Sequence, residues 1–323
     1  MSIFARMNRE RSIVIRPMKA DDIERVREVG QIAWSDLAMH DIGRRFRYPK
    51  RSEKLIESYI VVEPGGCLVA EVDGTIVGSA FCHVWGEIGW IGPLEVLPDN
   101  QNTGVGKALL SACERYLSEK GCEVIGRETM SHMPKNLHFY LSSGYTPTSV
   151  VLIMEKQMVG DAVPSQFVEE VTAANLPSTL HDISSLGRKL SPSLDHAVEA
   201  RMAVERRMGR VFVSRRDGAV AGFAILHTYQ KDEEARFSSV KALVVDPDRS
   251  DQEEIFDALL DRCEHASASM GKDHVLARLS ALSPELYQHM LSRSYLLKGA
   301  NVRMVKKGTY EERGMYHITS WAG

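Results

Sequence analysis

Gln101-x-x-Gly104-x-Gly106 is the spacing in this chain best suited to chemistry, because it joins an apolar run, Ile91 to Leu97, to an amphipathic one opening near Gly104. The first reads as a strand. The second reads as a helix with Ala108, Leu109, Ala112 and Leu117 on one face. A helix start leaves several backbone N–H groups without partners and carries partial positive charge, so it can hold a phosphate. Glycines one residue apart let a pyrophosphate lie against the backbone where a Cβ would intrude. Each N–H donated to an anionic oxygen contributes roughly 1.5–3 kcal/mol, so a few of them anchor a nucleotide-like tail.

Other phosphate loops are excluded by single positions. A P-loop needs Gly where Gln101 stands and a hydroxyl residue where Ala108 stands. The dinucleotide fingerprint needs Gly at the place of Leu109. What remains, Val96-Leu97-Pro98-Asp99-Asn100-Gln101-Asn102-Thr103-Gly104-Val105-Gly106, meets every specified position of V-x-P-x-x-[QR]-x-x-G-x-[GA]. This resembles the acetyl-CoA loop of the GNAT superfamily of N-acetyltransferases. The resemblance implies acetyl-CoA as co-substrate, held by the backbone of Leu94, Glu95 and Val96 and by Gln101, Asn102, Thr103, Gly104, Val105, Gly106 and Lys107.

A second family signature is Phe139-Tyr140-x-x-x-Gly144-Tyr145. Acetyl transfer to an amine expels a CoA thiolate, and the family uses a tyrosine at the place of Tyr140 to protonate it, as a positioned phenol can. Met133 stands where the family often has Asn. Asn136 lies nearby as a candidate for contact with the pantetheine arm, although the family usually has a small residue at its place. The amine must also lose a proton, and the candidate bases are Glu95 and Glu87. Glu95 should project opposite Leu94 and Val96, and burial there would raise its pKa toward a useful value. The competing readings are a paired structural carboxylate for Glu95 and a solvated strand end for Glu87. Cys82 and Cys113 read as core, so the implied mechanism is direct attack of the amine on the thioester.

These residues need a sheet and helices to position them. Ile13-Val-Ile-Arg-Pro reads as a first strand and Ile23, Val26 and Val29 as a helix face. Trp34 to Tyr59 holds more helix around an irregular middle, with Arg44, Arg45, Arg47, Lys50 and Arg51 as an acidic-acceptor patch or a solvated face. Asp73-Gly74 turns a hairpin, Cys122 to Thr129 reads as a strand, and Pro134 opens a helix ending at Gly144. Val150 to Lys156 is expected to close this first sheet.

The pattern then restarts. Val211 to Gly222 mirrors Cys67 to Gly78, Val245-Asp-Pro247 mirrors Val96-Leu-Pro98, Ala258-Leu-Leu mirrors Ala108-Leu-Leu, and Pro284 to Tyr295 mirrors Pro134 to Tyr145. The copy fails at the loop: Asp251, Glu254 and Phe256 stand for Gln101, Gly104 and Gly106, and Met290 and Ser294 for Tyr140 and Gly144. Acidic residues there cap a helix and repel a pyrophosphate. The reading is an α/β protein of two tandem GNAT-like domains, each a mixed, mostly antiparallel sheet flanked by helices. The first, 13–156, carries acetyl-CoA and catalysis; 157–165 is a linker; 166–307 is a degenerate, structural copy; and 308–323 is a tail that either tucks into the interface or is disordered.

Composition agrees with a globular enzyme. At 323 residues, net charge −3 and five cysteines without a C-x-x-C pair, the chain implies no nucleic-acid or membrane partner, disulfide framework or metal site. The leader lacks a signal-peptide core, which leads us to expect a cytoplasmic protein. The expected activity is N-acetyl transfer to a small-molecule or peptide amine. The alternative is a non-catalytic acyl-CoA-binding or interaction protein.

Overall fold

A computed structural model describes residues 12–43, 47–158, 167–228 and 236–321. Arg44, Arg45, the start of the leader and most of the linker lie outside them. Both Asp-Gly pairs adopt the left-handed backbone of a type I′ turn, with φ of 52° and 75° at Asp73 and Gly74 and 54° and 81° at Asp217 and Gly218. They close β2 (Cys67–Val72) on β3 (Thr75–Trp85) and, in the repeat, β8 (Gly209–Arg216) on β9 (Ala219–His227). β1 (Ile13–Pro17) and β7 (Val168–Val171) flank the hairpins on one side, and β4 (Ile88–Val96) and β10 (Phe237–Val245) on the other, all antiparallel. Among the described strands, parallel pairing is confined to β4 with β5 (Val124–Met130) and β10 with β11 (His274–Ser280). The crossovers carry α3 (Val105–Glu119) and α7 (Gln252–Ser269).

Alternation along the strands sorts the core into two faces. Cys67, Val69 and Phe81 pack with α1 (Ile23–Ile42) and α2 (Glu53–Val62), whereas Leu68, Ala70 and Ala80 pack with α3 and α4 (Pro134–Ser142). Val211 and Val213 likewise meet α5 (Leu176–Leu190) and α6 (Ala197–Glu205), and Phe212 meets α7 and α8 (Pro284–Ser292). On α3 the buried face is Val105, Leu109, Leu110, Cys113 and Leu117, while Ala108 and Ala112 are only half-buried.

The closing strand departs from expectation. β6 (Thr146–Gln157) does not sit beside β5; it lies between β11 and β12 (Leu296–Lys307), and β12 takes the place beside β5. The repeats exchange their last strands, and the β6–β12 pair fuses both sheets into one of 13 described strands. Duplicated halves offer each other equivalent edges, so exchange satisfies the same ladders and leaves no open edge in the middle. The boundary expected at 156 therefore does not divide two sheets in space.

The tail is built into the fold. β13 (His317–Thr319) pairs antiparallel with β10, and Tyr316 to Trp321 are buried. All five cysteines are buried and free. No described helix is long and apolar enough to cross a membrane.

Candidate active site

β4 and β5 run parallel only from Ile88–Trp90 and Val124–Gly126. Beyond that point β4 carries a bulge: Ala80 of β3 faces Leu94 but Cys82 faces Ile91, so Gly92 and Pro93 together stand opposite the single residue Phe81. A bulge bends its strand, and Pro93 has no N–H to give a ladder. The strands consequently continue to Val96 and Met130 without pairing to each other, which leaves a gap through the sheet.

The predicted loop lies at the open end of β4. Gly104 has φ of +95°, a backbone that only glycine adopts without strain. The first helical bond runs from Ala108 N–H to the Gly104 carbonyl at 3.0 Å, so the amides of Val105, Gly106 and Lys107 belong to the unpaired helix start. Gln101 braces the loop, its Nε2 donating to the Val96 carbonyl at 3.1 Å and its Oε1 accepting from Lys135. Thr103 Oγ1 donates to the Asn100 carbonyl at 2.6 Å, Asn102 and Lys107 are exposed, and the Val105 side chain is core. Gly106 is different. A Cβ there would meet the Phe139 ring at 3.5 Å and Val96 at 3.9 Å, ordinary contacts that no packing demand forbids. Glycine in a helix costs up to about 1 kcal/mol relative to alanine, and the missing Cβ leaves the backbone open to close approach from outside. The loop fits a pyrophosphate.

Tyr140 is on α4, buried on the loop's side of the sheet, edge-on to Phe139 and Tyr145. Its ring lies under the Arg127 guanidinium, whose carbon is 3.4 Å from the ring centroid. Burial raises the Tyr140 pKa and the Arg127 charge opposes that shift, so the phenol is protonated at neutral pH. Arg127 is the first β5 residue past the parallel ladder, is 5% exposed, and has no partner for Nε or Nη1 among the described residues. Asn136 is half-buried in the first turn of α4, and Leu94 is half-buried against the α3 side.

The carboxylates are sorted by their partners. Glu95 does point away from Leu94 and Val96, but its oxygens are taken: Arg51 donates at 2.8 and 3.2 Å, Trp34 Nε1 at 2.6 Å and Ser79 Oγ at 3.2 Å. These bonds tie α1 and the α1–α2 connection to β4. Glu87 is exposed at the opposite end of β4, eight positions from Glu95 and so about 27 Å along the strand at 3.4 Å per residue. The structure keeps it out of the gap. A third carboxylate, Glu128, comes from β5 on the α1/α2 face. Its Oε1 accepts from Arg303 at 2.9 and 3.1 Å and from Trp321 N–H at 3.3 Å, while buried Oε2 has no partner among the described residues. Sequence reading passed over Glu128 because its ion-pair partner is 175 residues away.

In the second half the corresponding gap is filled. β10 and β11 also part after Val240 and Ala277, but β13 occupies the space on β10, with Ser320 N–H donating to the Lys241 carbonyl at 3.0 Å. At the start of α7, Asp251 and Glu254 are held by Arg249 and Arg216, Glu253 by Tyr316, and Phe256 is fully buried in the position equivalent to Gly106. Cys82 and Cys113 are core: their mutual contact and burial hold the Cys82 thiol well above its usual range.

The acetyltransferase (GNAT) family model matches residues 29–145. An acetyltransferase of Yersinia pestis (strain Pestoides F) is 35% identical over 108 residues, covering 33% of this chain and 70% of that protein. An acetyltransferase of Sodalis glossinidius (strain morsitans) is 28% identical over 152 residues, 46% of this chain and 96% of that one. Two solved structures share the fold along nearly the whole chain. A GCN5-related N-acetyltransferase from Sphaerobacter thermophilus has TM-score 0.60 at 16% identity, covering 96% of this chain and 98% of its own. A tandem GNAT protein from the clavulanic acid biosynthesis pathway has TM-score 0.56 at 13% identity, covering 93% and 100%.

Proposed function

Because the chain belongs to the acetyltransferase (GNAT) family, we propose that its first half transfers an acetyl group from acetyl-CoA directly to an amine and that its second half is a scaffold. The observation carrying this reading is the asymmetry of the two gaps. Among the described residues no strand crosses the one beside Gly104, Gly106 and Tyr140, and its counterpart is filled by β13.

The two faces of the sheet divide the work. The loop 101–107 and Tyr140 are on the α3/α4 face, where backbone N–H groups would hold the pyrophosphate and Leu94 to Val96 would line the pantetheine. Glu128 and the amine are on the α1/α2 face. The thioester supplies the activated acetyl group at the gap. Glu128 Oε2 accepts a proton from the amine as nitrogen bonds to the carbonyl carbon; the C–S bond breaks, and Tyr140 returns a proton to the departing sulfur. Both groups then exchange protons with water.

Isothermal calorimetry tests the cofactor half of this reading. One acetyl-CoA per chain is expected, and Gly106→Ala should weaken binding by roughly 10-fold or more without lowering Tm, since the Cβ adds helix propensity and no clash. Two sites, or undiminished binding by Gly106→Ala, would remove the basis for the loop assignment. Glu128→Gln keeps an oxygen for Arg303 and removes the base, so kcat should fall by roughly 10²- to 10³-fold. A Glu95→Gln variant with that loss, alongside a Glu128→Gln variant without it, would reverse the two roles. A purely acyl-CoA-binding protein would release no CoA with any amine.

A further inference from the structure

On the α1/α2 face, three strands from both repeats present buried polar atoms with no partner among the described residues: Glu128 Oε2 on β5, Asn301 Oδ1 on β12 and Arg278 Nε on β11. The register puts them on one surface. Arg303 pairs with Glu128, and Asn301 is two residues along β12 from Arg303. Val151 of β6 pairs with both Asn301 and Ser280, and Arg278 is two residues along β11 from Ser280. Val275, Ala277 and Leu279 point the other way, into the α7 core. The strand exchange is what brings Asn301 and Arg278 alongside Glu128.

The chemistry of these atoms is of two signs. Glu128 Oε2 and Asn301 Oδ1 accept N–H donors, as an amine offers. Arg278 donates Nη1 to Ser239 Oγ at 3.2 Å and has no carboxylate within ion-pair distance among the described residues. Burial pulls its pKa below the ordinary guanidinium value, and the charge of Glu128 opposes that shift. A desolvated guanidinium is costly unless an anion meets it, and its planar fork matches carboxylate or phosphate.

We propose that the acceptor is an amine that also carries an anionic group, with its nitrogen at Glu128 Oε2 and Asn301 Oδ1 and its anion at Arg278. This rests on the acetyl-transfer reading above. A monoamine would leave Arg278 unpaired, and a diamine would set a second cation against it.

The test is CoA release at saturating acetyl-CoA from amino carboxylates, amino phosphonates, monoamines and diamines of matched chain length. Amino carboxylates or amino phosphonates should exceed the others in kcat/KM by roughly 10-fold or more, and the better of the two identifies the anion. Arg278→Met should raise KM for the preferred amine by roughly 10- to 100-fold and collapse the preference over monoamines, with acetyl-CoA binding retained. Arg278→Lys, which keeps a cation, should restore part of it. Preference for monoamines or diamines, or a loss in Arg278→Met shared equally by all amines, would overturn the inference and leave acetyl transfer standing. No release from any amine by a protein that binds acetyl-CoA would overturn both. Should Arg278→Met fail to fold, the wild-type preference and Arg278→Lys still decide.

Discussion

Tyr140→Phe is expected to lower kcat by roughly 10²- to 10⁴-fold while acetyl-CoA affinity stays nearly constant, because the hydroxyl is needed only as the thiolate leaves. The ring, its contacts with Phe139 and Tyr145 and its stack under Arg127 remain in the variant, so the fold is not at stake. The pH profile gives a second readout. The proton donor is active below its pKa, and burial raises that pKa, so the wild-type rate should hold through neutral pH and fall only as alkaline pH passes the raised value. That alkaline limb should vanish in Tyr140→Phe. Stopped-flow and steady-state measurements from neutral to alkaline pH would check both. Unchanged turnover would mean that the thiolate leaves unaided or that another group protonates it.

Residues 1–156 expressed alone are expected to be insoluble or unfolded, and co-expression with 157–323 should rescue them. The reason is the strand exchange. Without β12, the β5 edge and its ladder are open, Met304 no longer fills the core beneath α3, and Glu128 loses Arg303. Removing one partner of a buried ion pair costs on the order of 3–5 kcal/mol, and emptying a buried methionine site about 2–5 kcal/mol. Together these approach the total stability of roughly 5–15 kcal/mol typical of a domain. Soluble yield and calorimetric unfolding would measure the effect. A fragment that folds cooperatively and binds acetyl-CoA as tightly as the full chain would show that β6 can return to the place of β12, and the dependence would then be kinetic.

What the sequence determined by itself was local. The left-handed Gly104, the unpaired amides of the α3 start, the Asp-Gly turns and the degenerate second loop each depend on a few adjacent residues, so their chemistry is written where it acts. Fold class and tandem repetition followed from the same short patterns. Only the tertiary structure decided what depended on remote partners. Glu95 and Glu128 are both carboxylates in apolar strands, and which keeps a free oxygen depends on Arg51, 44 residues from one, and Arg303, 175 from the other. The exchange of β6 and β12 was hidden for a related reason: duplicated strands carry the same alternation, so no pattern within either says which edge it will pair with. The filling of the second gap by His317–Thr319 was hidden too, because a three-residue strand has too little periodicity to announce itself and gains its place only from the ladder on β10.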